Sequence, residues 1–117
     1  MNTMRDSTVD TDTARAASVF VERVAAQYPV SGAILFGSRA RGSYRPDSDA
    51  DIAVLLRGHR GNFVDIKLAM ADIAYDVLLE TGVRIQPLPI WEDDWEHPES
   101  YSNPGLLQNI SRHGIRL

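Results

Sequence analysis

No cysteine occurs among the 117 residues, which excludes disulfide bonds and thiolate chemistry and fits a reducing compartment. Long apolar runs are missing as well. No stretch approaches the roughly 20 residues that cross a bilayer, and the opening "MNTMRDSTVDTDTARAAS" has no apolar core of the signal-peptide kind. The expectation is a cytoplasmic protein with no membrane partner. Positive charge is not in excess either: 12 Lys and Arg stand against 16 Asp and Glu, for a formal net charge of -4. Without a broad basic surface to follow a phosphate backbone, long DNA or RNA is not expected as the main ligand. The three histidines, His59, His97 and His113, are too scattered to make a metal set.

What remains is the composition of a folded protein, 44% hydrophobic and 24% charged, in a length that suits one compact domain. The polar, aperiodic start reads as a flexible arm over 1–12, and 13–117 as the single domain. Ala17, Phe20, Val21, Val24, Ala25 and Tyr28 fall at helical spacing, with caps available from Asp10 to Thr13 and Pro29 as a stop. "AILF" is then too short for a helix and ends at Gly37, so it reads as a buried strand. "DADIAVLL" reads as a second strand. From Phe63 to Thr81 the line Ile66, Met70, Ile73, Val77 and Leu78 predicts a second long helix, capped by Asn62 and closed by Gly82. "VRIQPLPI" follows as a third strand, whose prolines favour an edge position for its latter half. Asn103-Pro104 starts a short terminal helix carrying Leu106, Leu107 and Ile110. The order helix, strand, strand, helix, strand, helix makes one α/β unit of the α+β kind.

The chemistry concentrates in "LFGSRARGSYRPDSDADIAVLL", Leu35 to Leu56. Residues two apart on a strand point the same way, with Cα atoms roughly 6.5 to 7 Å apart, so Asp49 and Asp51 converge. Two like charges held close need a positive partner, and a pair of hard carboxylates suits Mg²⁺, which keeps its remaining positions for water or phosphate. Aspartates before a strand also cap turns, which is the plain structural alternative. Ahead of them, Gly37 lets backbone N–H groups approach a phosphate and Ser38 adds a hydroxyl; a helix starting at Ser38 would favour an anion further. Alone, "GS" describes an ordinary strand-ending turn. The two features within about a dozen residues point to a triphosphate held from two sides.

That stretch resembles the signature of the DNA polymerase beta-like nucleotidyltransferase superfamily: a strand, Gly-Ser, a spacer, then Asp-x-Asp on the next strand. It is most similar to the minimal nucleotidyltransferases, over roughly Gly32 to Ile90. The resemblance implies a short mixed sheet of three or more strands flanked by helices. It implies that Gly37 and Ser38 bind the β and γ phosphates of a nucleoside triphosphate, and that Asp49 and Asp51 hold magnesium and are catalytic. Arg39 and Arg41 become candidates for phosphate oxygens or the leaving pyrophosphate, with solvated surface charge as the alternative. The implied activity is Mg²⁺-dependent transfer of AMP from ATP to a hydroxyl, a tyrosine, of a partner protein. The implied partner is a small helical HEPN-type toxin, with this chain as its antitoxin.

One position departs from the pattern. Members of the superfamily usually carry a third carboxylate on the next strand, where this sequence has the neutral Gln86. Asp65 and Asp76, or Glu92, Asp93 and Asp94, are possible substitutes, each with an ordinary surface role as its alternative. A non-catalytic nucleotide-binding module that neutralises its partner by contact is therefore the competing reading. Trp91 and Trp95 either form a partner-binding ridge or pack the terminal segment onto the sheet.

Overall fold

The computed structural model describes residues 9–117. Asp10 opens the first helix, its carboxylate accepting from Thr13 N at 3.0 Å, and α1 runs Thr11–Ala25. Of the arm expected over 1–12, residues 1–8 lie outside the described residues, while Thr11 and Asp12 already belong to α1. The helix buries Thr13, Ala16, Ala17, Phe20 and Val24, a stripe at the period that turns one face to a core.

Three strands of seven residues follow, β1 (Val30–Phe36), β2 (Ala50–Leu56) and β3 (Ile85–Trp91), with the single-turn helix α2 (Ser38–Arg41) between the first two. The long helix α3 (Phe63–Thr81) carries the chain from β2 to β3, as a parallel connection requires. Its Asn62 cap accepts from Asp65 N at 3.0 Å, and Gly82 ends it at φ +78°. After β3 come the short α4 (Glu92–Glu96), a 3₁₀ turn at Pro98–Ser100, α5 (Pro104–His113) and a two-residue β4 (Ile115–Arg116). The sheet order is β3-β2-β1-β4, with β1 antiparallel to both neighbours and β2 parallel to β3. β3 is thus an edge strand, as its prolines require.

Helices cover both faces. On one, α1 and α3 pack over Leu35, Ile52, Val54 and Leu56. On the other, Leu107 and Ile110 of α5 meet Ile34, Ala53, Leu55 and Ile90. Trp91 is buried in the first cluster and Trp95 packs against the second, so both tryptophans serve the core. No helix among the described residues is long and apolar enough to cross a membrane.

Candidate active site

Where β1 ends at Phe36 the chain must turn at once into α2. Gly37 makes that turn at φ +76° and ψ -157°, a conformation that L side chains avoid. A Cβ there would also overlap the Asp51 carboxylate, because Phe36 and Asp51 are partners across the β1–β2 ladder. The turn and the carboxylate therefore touch. Beyond it, the first N–H groups of α2 have no acceptor within the helix. Together with the Ser38 hydroxyl they form a small set of donors beside the acid pair.

Asp49 directly precedes β2 and Asp51 is its second residue; both are half-buried, and extended geometry sends their side chains the same way. On the neighbouring strand Gln86 is the register partner of Asp51. One step earlier Arg84 accepts from Ala50 N at 2.8 Å through its carbonyl, and its Nε stands 3.6 Å from Asp49 Oδ1. The four positions form a block: two carboxylates along β2, with a guanidinium and an amide beside them. Burial pushes the Asp51 carboxyl above its ordinary value and the Asp49 charge adds to this, while Arg41 and Lys67 pull it back. The net direction is upward, so burial and the Asp49 charge together outweigh the two cations.

Arg39, expected at the phosphates, is a correction. It is only 4% exposed, and its guanidinium is spent inside the fold. Nε donates to Ser48 O at 2.9 Å, Nη1 to Thr13 Oγ1 at 2.8 Å and Nη2 to Pro46 O at 3.1 Å, with the Tyr44 ring 4.4 Å from its carbon. Thr13 passes the interaction on, donating to Asp10 Oδ1 at 2.5 Å. Burial would raise the Asp10 carboxyl, but hydrogen bonds from Thr13 and Tyr44 and the Arg39 charge leave it below its usual value. Arg39 thus clamps the turn Arg45–Ser48, which delivers Asp49, to the start of α1. Arg41, by contrast, is exposed, and its charge reaches Asp51.

The proposed substitutes for a third carboxylate do not join the pair. Asp93 holds His59, Asp94 holds Arg60 at 3.1 Å, and Glu92 accepts from Gly58 N at 3.2 Å. All three follow Trp91, whose partner on β2 is Leu56, at the opposite end of that ladder from Asp51. Asp65 and Asp76 are exposed on α3, which covers the other face of the sheet. Among the described residues no three or more His, Cys, Asp or Glu side chains group as a metal site.

A family model for the nucleotidyltransferase domain matches residues 17–104, from the middle of α1 to the start of α5. The chain belongs to that family. A crystal structure of a Sulfolobus solfataricus protein assigned as a nucleotidyltransferase is similar at 27% identity and a TM-score of 0.53, over 74% of this chain and 76% of that one. No curated protein matches the chain in sequence. The nucleotidyltransferase match contains Gly37, Ser38, Asp49, Asp51 and Gln86, so the block described above lies within the part shared with the family. Nucleotidyl transfer is the general activity this assigns.

The donor set of this nucleotidyltransferase domain fits a hard divalent cation. Asp49 and Asp51 supply convergent, half-buried oxygens, and the repulsion between the two carboxylates is one that a bound cation would relieve. Two carboxylates leave most of an octahedral ion's positions to water or to phosphate. The Gly37 turn lies directly against the Asp51 carboxylate, so the open N–H groups that begin α2 stand close to the acid pair.

Proposed function

We propose that this protein transfers AMP from ATP to a hydroxyl, a tyrosine, of a partner protein in the cytoplasm. The observation that carries the reading is the close approach of Gly37 and the Asp51 carboxylate, which supports one ligand shared by the turn and the acid pair. Gly37 and Ser38 would take the β and γ phosphates through backbone N–H groups and the hydroxyl. Asp49 and Asp51 would hold Mg²⁺, which supplies charge stabilisation at the α-phosphate. The acceptor oxygen bonds to the α-phosphorus and gives up its proton to water as the bond to pyrophosphate breaks, and Arg41, exposed nearby, is the cation suited to the leaving group. Val64, Leu68, Tyr75 and Leu79, each at least 60% exposed along α3 on the face away from the acid pair, offer a partner protein an apolar surface outside the site. A small helical HEPN-type toxin is the partner we assign, with this chain as its antitoxin.

Incubating the protein with ATP labelled at the α-phosphate, Mg²⁺ and a lysate of the source cells tests this, against the variant Asp49→Asn, Asp51→Asn. A labelled protein band with wild type alone is the expected result. Gln86 beside Asp51 favours a second reading, a module that holds nucleotide and neutralises its partner by contact. Nucleotide binding with no label transferred by either form would establish that reading instead.

A further inference from the structure

We propose that this site takes a single divalent cation, carried in on the nucleotide's phosphates, and that Arg84 supplies the second positive charge that another metal ion would bring. The inference rests on the nucleotide reading of the same site. Sites that hold two divalent ions place them roughly 3.5 to 4 Å apart, and carboxylates must offset the repulsion between them. Among the described residues the acids here stop at two. The positions beside them are Arg84, just before β3, with Nε 3.6 Å from Asp49 Oδ1, and Gln86 on β3, paired in register with Asp51. A second dication at this block would meet the Arg84 guanidinium beside Asp49 and gain only a neutral amide as a ligand. Arg41 and Lys67 already act on Asp51 from outside the block.

The Arg84 side chain is 66% exposed, so the guanidinium is free to turn from Asp49 to a phosphate oxygen when a cation arrives on the carboxylates. A guanidinium does this well because its donors match phosphate geometry and its charge does not titrate away. Without nucleotide, two carboxylates partly neutralised by an arginine make a weak metal site, since Mg²⁺ gives up its water reluctantly. Cation and nucleotide should therefore bind together.

Electron paramagnetic resonance with Mn²⁺ reads the count directly. With the α,β-methylene analogue of ATP and protein in excess, wild type should show one magnetically isolated Mn²⁺ per complex, and without the analogue little bound Mn²⁺. The double variant Arg84→Gln, Gln86→Glu should bind two ions with an exchange-coupled spectrum. Arg84→Gln alone should keep one ion and lose about tenfold in analogue affinity, the scale of one charge-assisted contact, while Arg84→Lys recovers part of it. A coupled pair in wild type overturns the single-ion assignment. Unchanged affinity in Arg84→Gln overturns the role of Arg84. If folded wild type binds no analogue at all, the nucleotide reading itself fails, a result distinct from both.

Discussion

Arg39 Nη1 donates to Thr13 Oγ1 across 2.8 Å of protein interior, joining residues 26 apart in sequence. Thr13 is fully buried and Arg39 nearly so, which makes this the inner link of a chain running from Asp10 to the turn before Asp49. A charge out of water persists only when its donors are satisfied and an opposite charge is near, and both hold here. The same side chain therefore stabilises the fold and sets where the acid pair stands.

Arg39→Ala should cost about 3 to 5 kcal/mol, because it strands the Pro46 and Ser48 carbonyls and leaves Asp10 without its buried cation. Arg39→Lys should recover little, since an ammonium cannot reproduce three directions of the planar fork. Urea unfolding followed by circular dichroism measures both. A loss under about 1 kcal/mol would show that water can enter and satisfy the turn.

Gly37→Ala should separate folding from binding. The backbone strain at φ +76° and ψ -157° costs on the order of 1 to 3 kcal/mol, which a domain of this size can survive. The overlap with Asp51 displaces the carboxylate from the turn, so nucleotide binding should fall below detection in a protein that still unfolds cooperatively. Calorimetric titration beside thermal unfolding gives the two readouts. Binding retained at wild-type strength would remove the turn from the site.

Asp51→Asn should stabilise the metal-free protein at neutral pH. The folded carboxyl is raised, first by burial and then by Asp49, so the folded state holds its proton more tightly than the unfolded chain does. That contribution is fully present below the unfolded value, near 4, and is lost as pH rises through the higher folded value. Wild type therefore falls behind the variant as pH rises, and the gap should close near pH 3.5, just under that unfolded value. Urea midpoints of both proteins at the two pH values check it. An equal gap at both would show that the fold treats this charge no worse than water does.

Much of this was legible in the sequence because the relevant signals are local. The Asn62 and Asn103 caps, Gly82, and the alternation after Asp49 act over a few residues, and α3, α5 and β2 follow them closely. The prolines of "QPLPI" even placed β3 at an edge. The place of Arg39 is not legible locally: proximity to Gly-Ser suggests a phosphate cation, whereas its environment is made by Thr13 and by the turn Arg45–Ser48. That depends on how α1 packs, which spacing along the chain does not encode. The boundary between arm and helix at Asp10 is hidden because polar residues look alike whether they cap a helix or precede it. β4, at two residues, has no period to detect. Gln86 was singled out from sequence, but its pairing with Asp51 and the place of Arg84 beside Asp49 appear only once β3 is laid parallel to β2.

The edge of the sheet carries one more consequence. Pro87 and Pro89 have no N–H to offer, and the Pro87 carbonyl already accepts from Lys67 Nζ at 2.8 Å. A foreign strand arriving alongside β3 would find two rungs of its ladder missing and a third occupied. The residues that flank the acid block thereby guard the protein against adding a further strand, the first step of fibrous self-assembly.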